Sequence, residues 1–218
     1  MKKRILFLTQ NSYYFVHRYF IDIFEWQNSD IALVSENKRG IKTKYVEIIN
    51  YFGLLNFIKC IFYEIFFIFI LRDRMKKLKL FNVKDNHLNK FLEEKVNSKD
   101  YEMIISIGCP CLINPKFQSF VPVYNLHGGL IPFQRGRYSP LKSMIKGHKY
   151  LGASLHLIDD NYDLGSIISQ DYFDVVFKNK LFNYNQVLKL SRKLLIMFFN
   201  NKFSKLPNEI KEYFKNFS

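Results

Sequence analysis

Residues 121–136 read VPVYNLHGGLIPFQRG, an apolar segment that ends in two polar side chains and continues into a loop rich in Gly, Pro and Arg. The run Val121–Asn125 is predicted as a buried strand, entered through Pro122. Side chains two positions apart in a strand project to the same face, so Asn125 and His127 are expected side by side at its carboxyl end. Open α/β sheets bind their ligands at that end, so the segment predicts the fold and the place of the site together.

Strands alternate with helices before this segment, which favours an α/β fold with a Rossmann-like, open, mostly parallel sheet flanked by helices. The predicted strands span residues 3–9, 30–35, 101–108, 152–158 and 166–173. The predicted helices span residues 13–26, 51–71, 86–97, 139–148, 183–200 and 208–216. Residues 36–44 are polar and are predicted as a loop, and residues 72–85 as a basic stretch. We expect a catalytic domain over residues 1–175 and a short C-terminal helical extension over residues 176–218 that packs on it.

Composition narrows the class of protein. The chain has 218 residues of which 48% are hydrophobic, so it is neither a disulfide mini-protein nor a disordered chain. Its formal net charge of +14 predicts an anionic partner, which could be nucleic acid, an acidic membrane surface or a phosphorylated small molecule. Cys60, Cys109 and Cys111 form neither an even disulfide framework nor repeated metal-ligand pairs, so we expect reduced, structural thiols in a cytoplasmic protein and no metal.

The segment Tyr51–Leu71 does not fit an ordinary soluble surface. It is strongly apolar and about long enough to span a bilayer, but Asn56, Lys59 and Glu64 interrupt it, and charges inside a membrane are costly. We expect a buried or interface helix, with a helix on a membrane surface as the alternative.

From chemistry alone, Asn125, His127 and Asp163 provide an amide donor, an acid/base and a carboxylate. The amide can stabilise developing oxyanion charge, the histidine can carry a proton near neutral pH, and the carboxylate can orient the histidine or accept a proton. No serine or cysteine stands in an elbow motif, which favours direct transfer over a covalent intermediate. Taken alone, an Asn and a His at a strand end are more often structural than catalytic.

Two motifs resemble those of the folate-dependent formyltransferases. Residues 125–136 read NLHGGLIPFQRG against the family pattern Asn-x-His-x-x-Leu-Leu-Pro-x-x-x-Gly. Residues 156–170 read HLIDDNYDLGSIISQ against His-x6-Asp-x-Gly-x-Ile-x-x-Gln. The spacing between the two motifs also matches. The resemblance extends over Tyr101–Phe173 and is only architectural before it.

The resemblance implies a fold, a donor and a set of roles. It implies N10-formyltetrahydrofolate as formyl donor, Asn125 and His127 as donors to the oxyanion, and Asp163 as the group that supports His127 and helps to remove the amine proton. The residues that match the family's folate pocket are Ile105, Gly108, Cys109, Pro110, Cys111, Leu112, Ile113 and Asp159. His156 matches a motif histidine, and a turn-stabilising role fits it equally well.

Departures from the family pattern bear on the acceptor amine. The position of the family's glycine-rich phosphate loop is occupied by Gln10–Tyr13 without glycine, which puts a ribonucleotide phosphate there in doubt. The aromatic residue that usually precedes Arg-Gly is Gln134 here. Only about 45 residues follow Phe173, against the roughly hundred-residue barrel of the tRNA enzymes, so we expect no nucleic-acid substrate.

The remaining relatives are the sugar N-formyltransferases, which act on dTDP- or GDP-linked amino dideoxysugars for surface polysaccharide such as O-antigen. The resemblance to this group implies a nucleotide-linked amino sugar as acceptor. The candidate substrate contacts are Asn11, Ser12, Arg135 and Arg137. Phosphoribosylglycinamide or another small amine is the alternative acceptor.

Two further questions stay open at this stage. The surplus of apolar helix favours a homodimer, and contact with the inner membrane would use the same surplus. A different class of function is a basic membrane- or nucleic-acid-associated protein on a degenerate transferase scaffold.

Overall fold

The computed structural model describes residues 4–27, 29–36, 46, 48–97, 100–160, 163–176 and 179–217. The predicted loop at residues 36–44 lies almost wholly outside them. The described chain divides into two compact units, residues 1–124 and 125–218.

The first unit is built on four parallel strands in the order β3-β2-β1-β4. Its helices and strands are β1 (Arg4–Gln10), α1 (Arg18–Trp26), β2 (Asp30–Ser35), α2 (Leu54–Lys76), β3 (Lys79–Lys84), α3 (Leu88–Asn97) and β4 (Tyr101–Ile107). A turn of π-helix over Tyr13–His17 precedes α1. The chain moves outward from β1 to β3 and then returns to pair β4 with the other side of β1, so the strand order reverses between β1 and β4. Such a switch point opens a crevice at the carboxyl ends of the two strands.

A buried carboxylate ties three of these strands together at one end. The Asp30 side chain, 4% exposed, lies 2.9 Å from an Arg4 guanidinium nitrogen and accepts a 2.6 Å hydrogen bond from the Tyr101 hydroxyl. Burial and the Asp30 carboxylate raise the pKa of Tyr101. Buried charges need such partners, so these contacts favour this register of β1, β2 and β4 over others.

The sequence reading missed β3, which it treated as part of a basic stretch. Leu80, Phe81 and Val83 supply its apolar side chains, yet only Val83 is fully buried. The strand stands at the end of the order given above, beside β2 alone, where a half-exposed polar sequence is tolerated.

The helix α2 corrects the expectation of a buried helix. It begins three residues and ends five residues later than the predicted 51–71, and only Cys60, Leu71 and Met75 are buried. Leu55, Phe62 and Phe69 are 77%, 67% and 72% exposed. By length and composition α2 is the one described helix that could cross a membrane.

The second unit contains the end of β5 (Val123–His127) and the following elements: α4 (Ser139–Ile145), β6 (Tyr150–Leu157), β7 (Ile167–Asp174), α5 (Lys180–Phe199) and α6 (Asn208–Phe217). The strands β6 and β7 pair antiparallel, as their patterns predict. In α6, Ile210 and Phe214 pack with Leu130 in a buried cluster, and the Phe214 ring stacks on Phe133 at 4.9 Å between centroids. The last helix therefore covers the loop that follows β5.

The predicted α/β class, with a mostly parallel sheet, flanking helices and C-terminal helices, is confirmed. The predicted domain boundary at residue 175 stays a prediction.

Candidate active site

The second unit brings Asn125, His127 and Asp163 together. Asn125 and His127 lie at the end of β5, and Asp163 lies in the turn that follows β6. The Asn125 amide donates to Asp163 Oδ1 at 3.4 Å, and His127 Nδ1 lies 3.5 Å from the same oxygen. The side chains of His127 and Asp163 are 10% and 9% exposed. Asn125 and His127 thus contact the same oxygen of Asp163, which is 38 residues from Asn125 in the sequence.

Backbone contacts fix the Asp163 carboxylate from its other side. The Gly136 amide donates a 2.7 Å hydrogen bond to Asp163 Oδ2. Asp163 itself has a left-handed φ of 53° and Gly136 a φ of 80°, the latter a conformation in which glycine carries no steric cost. The turn after β6 and the loop after β5 therefore hold this carboxylate in one place.

His127 faces acceptors at both ring nitrogens. Its Nε2 donates to the Gln134 carbonyl at 2.7 Å and lies 3.2 Å from Ser139 Oγ, whose own hydrogen is directed to the Gly128 carbonyl at 2.8 Å. Its Nδ1 faces the Asp163 carboxylate. Only a ring that carries protons on both nitrogens can donate to both sides at once.

His156 is paired in a different way. Its Nδ1–H donates to the Leu157 carbonyl at 2.8 Å, and its Nε2 accepts from the Asn125 amide at 3.2 Å. This pattern fits a neutral ring, and burial lowers the pKa of His156, which agrees with it. His156 therefore orients Asn125, whose remaining N–H is directed to Asp163.

Gln134 is the residue whose part the sequence reading missed. Gln134 is 2% exposed. Its side chain accepts from the Leu130 amide at 3.1 Å and donates to the Tyr150 carbonyl at 2.7 Å. Its backbone carbonyl accepts the hydrogen bond from His127 Nε2. The signal was present as the departure from the family's usual aromatic residue, but a sequence cannot show that an amide has replaced a ring by bonding to the backbone.

Two motif glycines are required by contact. A Cβ on Gly129 would overlap Ser139 Oγ and the Gln134 carbonyl and would lie 2.8 Å from His127 Nε2. A Cβ on Gly165 would overlap the Leu157 carbonyl. These close approaches explain why the two motifs contain glycine at these positions.

In the first unit, two groups of predicted site residues meet at the switch point. Asn11 and Ser12 follow β1, and the loop Gly108–Ile113 follows β4, its neighbour in the sheet. Gly108 has a φ of 61°, and a Cβ there would lie 3.8 Å from Gln10 Nε2. Ile105 is buried inside β4, whereas Leu112 is 49% exposed at the loop. The loop therefore presents backbone and an apolar side chain at the end of the sheet.

Ser12 is already engaged in local structure. Its hydroxyl donates to Glu64 Oε2 at 3.0 Å and accepts from the Phe15 amide at 3.2 Å, so it caps the helical turn after β1. Asn11 is exposed. Of the two predicted substrate contacts on this loop, Asn11 has the more accessible side chain.

Cys109 and Cys111 are free thiols with their sulfur atoms 3.8 Å apart. The hydrogen bond between them raises the pKa of Cys109 and lowers that of Cys111. No cluster of three metal-ligating side chains occurs among the residues described.

The remaining predicted residues lie on the surface of the second unit. Arg135, Arg137 and Asp159 are exposed, and the Arg137 guanidinium donates to the Tyr138 hydroxyl at 3.1 Å. Arg135 and Arg137 flank Gly136, whose amide donates to Asp163. Both arginines are therefore next in sequence to a residue that contacts the Asp163 carboxylate.

Comparison with known proteins gives the family and the fold. The model of the family described as Formyl transferase matches residues 71–197. The chain is 34% identical over 70 residues to the dTDP-4-amino-4,6-dideoxyglucose formyltransferase of Mycobacterium bovis, over 32% of this chain and 30% of that one. It is 36% identical over 78 residues to the GDP-perosamine N-formyltransferase of Brucella melitensis, over 35% of this chain and 30% of that one.

A solved structure, a sugar N-formyltransferase from a Shewanella species, superposes with a TM-score of 0.60 at 22% identity, over 95% of this chain and 74% of that one. This likeness shows the fold. Each of the two matches in sequence covers less than a third of the relative's length.

Proposed function

Since the chain belongs to the formyl transferase family, whose model matches residues 71–197 of its 218, we propose that it formylates an amino group on a nucleotide-linked amino sugar. The proposed donor is N10-formyltetrahydrofolate. The observation that carries the proposal is the convergence of Asn125 and His127 on one oxygen of Asp163.

Asn125, His127 and Asp163 have distinct roles in this proposal. The substrate amine forms a bond to the formyl carbon, the bond from that carbon to its donor nitrogen breaks, and one proton passes from the amine to the donor nitrogen. Asn125 and His127 donate to the oxygen on which negative charge develops. Asp163 accepts the amine proton, directly or through water, and holds His127 in place through its Nδ1.

The contacts of Asn125 and His127 with Asp163 are long enough to be exchanged for contacts with substrate. The 3.4 Å and 3.5 Å separations at Asp163 Oδ1 are long for charge-assisted hydrogen bonds, which are commonly near 2.7–2.9 Å. Catalytic hydrogen bonds are often long before substrate arrives. Asn125 can therefore exchange its contact with Asp163 for one with the substrate oxygen, while His156 keeps the amide in place.

The donor fits the loop after β4. Backbone groups of Gly108–Ile113 can bind the polar edge of a pterin, and the half-exposed Leu112 can cover its face. Ile105, buried in β4, and Asp159 stay predicted donor contacts.

The acceptor is proposed from charge and from the relatives. A nucleotide diphosphate is an anion, and Arg135 and Arg137 can each bind phosphate oxygens in bidentate fashion. The matched relatives are named for a dTDP-linked and a GDP-linked amino sugar. We propose surface polysaccharide such as O-antigen as the use of the product, and the cytoplasm, where thiols stay reduced, as the place of the reaction. A homodimer stays a prediction.

The direct test is formyl transfer by the whole chain. N10-formyltetrahydrofolate is mixed in turn with dTDP-4-amino-4,6-dideoxyglucose, GDP-perosamine and phosphoribosylglycinamide, and both tetrahydrofolate release and product mass are followed. We expect a formylated product with one of the two sugars. Turnover with phosphoribosylglycinamide alone would replace the proposed acceptor, and tetrahydrofolate release without any amine would indicate a hydrolase.

A further inference from the structure

The helix α2 carries the carboxylate of Glu64 on its inner side, beside Cys60 and Leu71, and most of its large apolar side chains on its outer side. Its Glu64 carboxylate accepts hydrogen bonds from the Ser12 hydroxyl and from the Tyr13 and Tyr14 amides at 3.0, 2.6 and 2.9 Å. Near the carboxyl end of the helix, Arg74 binds Glu25 of α1, with Nε to Oε1 at 3.0 Å. The surface helix of an ordinary soluble protein has the opposite arrangement, with its apolar side toward the core.

The outward side is one continuous apolar surface, which we call the α2 outer face. Leu54 and Ile70 are about 24 Å apart along the axis at about 1.5 Å per residue. The face consists of exposed residues with large apolar side chains: Leu55, Ile58, Phe62, Ile65, Phe66 and Phe69. Soluble monomers seldom expose a contiguous apolar patch of more than a few hundred Å², so an occupant is expected.

Charge at the border of the α2 outer face identifies the chemistry of that occupant. Lys59, Arg72, Lys76 and Lys77 are exposed along its edge and at its carboxyl end. Within residues 54–77, all of which the structure describes, Asp73 is the only exposed carboxylate, and Arg72 and Lys76 already lie 3.6 and 3.5 Å from it. The border is therefore cationic and calls for an anionic partner.

A second copy of the chain does not supply that charge. Two α2 outer faces packed in parallel would place the cations of one helix against those of the other, and antiparallel packing would place them against Leu54–Ile58, which contains no carboxylate. The net charge of +14 further opposes self-association. A bilayer that contains acidic lipid offers both an apolar layer and negative headgroups.

We infer that the α2 outer face lies on an anionic lipid surface, with the helix parallel to the membrane plane. The three hydrogen bonds to Glu64 keep the inner side on the protein, so lipid does not surround the helix. The side chains of Phe62 and Phe69 enter the acyl boundary while Lys76 and Lys77 bind headgroups. The inference is independent of the proposed formyl transfer.

The test is flotation of the full chain with vesicles of phosphatidylcholine alone or with phosphatidylglycerol at three parts in ten. We expect binding to the acidic vesicles that weakens as salt rises. K76Q/K77Q should reduce binding about tenfold or more, at about 1 kcal/mol for each lysine near the surface. F62Q/F69Q should reduce it on the order of tenfold as well.

Matched controls separate the α2 outer face from charge and apolar exposure in general. K146Q/K189Q removes two exposed lysines elsewhere, and F120Q/F203Q removes two exposed phenylalanines, so both should bind as the original chain does. Circular dichroism of each variant checks that the helices are retained.

Four results would overturn the inference. The first two are no vesicle binding by the original chain and equal binding by the α2 variants and the controls. The third is resistance to alkaline carbonate extraction, which would indicate a spanning helix. The fourth is a dimer that F62Q/F69Q dissociates, without any vesicle binding.

Discussion

His17 in the first unit and His156 in the second are both buried, and their surroundings are opposite. His156 is 2% exposed and both of its ring nitrogens are paired, one with the Leu157 carbonyl and one with the Asn125 amide. His17 is 0% exposed, packs edge-on against the Tyr13 ring at 4.7 Å, and has a partner for neither nitrogen within the described residues. Burial lowers the pKa of both, in His17 to about 4.

The difference shows what separates a site from a core position. Burial alone lowers the pKa of any histidine, because the charged ring loses its hydration. Only His156 belongs to a network that reaches a carboxylate and a second histidine with acceptors on both sides. A network of this kind has to be satisfied as a whole, so its members can be tested by breaking one connection at a time.

The largest effect should come from Asp163→Asn, which removes the charge that Asn125 and His127 share. We expect the turnover number to fall about 10²–10⁴-fold, because both the proton acceptor and the charge facing His127 are lost. The measurement is tetrahydrofolate release with the active amino sugar. Asp160→Asn, which changes an exposed carboxylate in the same turn, serves as the control and should keep full activity. Normal turnover in Asp163→Asn would remove this residue from the proposed mechanism.

Gly165→Ala tests the backbone on which His156 is held. The added methyl overlaps the Leu157 carbonyl, which is the partner of His156 Nδ1, so the turn must move. We expect a loss of about 3 kcal/mol in the free energy of unfolding, measured in urea. Gly147→Ala is the comparison: its φ is 78° and its Cβ would meet no atom within 4 Å, so it should cost only about 1 kcal/mol. Equal losses in the two variants would contradict the close contact.

Gln134→Leu tests whether the hydrogen bonds of the Gln134 side chain to Leu130 and Tyr150 affect the reaction. The change leaves the Leu130 amide and the Tyr150 carbonyl without their partners, so we expect about 2–3 kcal/mol of destabilisation. The turnover number should fall as well, with little change in KM, because the Gln134 carbonyl that positions His127 shifts. Gln118→Leu breaks a similar side-chain clamp on Val123 and should lower stability alone. Unaltered turnover in Gln134→Leu would mean that the hydrogen bonds of the Gln134 side chain are purely structural.

Local patterns predicted much of this molecule. The strands β1, β2, β4, β6 and β7 lie within two residues of their predicted bounds. A run of apolar residues indicates a buried strand without any knowledge of its neighbours in the fold. The convergence of Asn125, His127 and Asp163 followed from a strand periodicity of two and from a motif resemblance. Their catalytic roles stay predictions until a variant is assayed.

What the sequence could not give depends on neighbours that are distant along the chain. Strand β3 is recognisable only beside β2, since its own residues are half polar. The role of Gln134 rests on bonds to Leu130 and Tyr150, and the outward apolar side of α2 on the bonds that Glu64 makes to residues about fifty positions away. An apolar helix predicts burial, and only its contacts tell which side is covered.

His17→Leu, the smallest effect, tests the unpaired histidine directly. Because the folded pKa is about 4 and the ordinary value is 6.5, the unfolded chain binds a proton as pH falls below 6.5 while the folded chain does not. This group therefore favours the folded state above pH 6.5 and loses that contribution between 6.5 and about 4, by about 2 kcal/mol at pH 5. Urea unfolding at pH 7.5 and pH 5 should show a smaller drop for His17→Leu than for the original chain.

His87→Leu is the matched control, because it makes the same replacement at an exposed position. A leucine at position 17 also removes two buried nitrogens that have no partner, so stability at pH 7.5 should not decrease. An equal pH dependence in His17→Leu and the original chain would mean that His17 takes a proton in the folded state. A charged ring needs water or a polar partner, so His17 would then no longer serve as the unpaired core histidine with which His156 is compared.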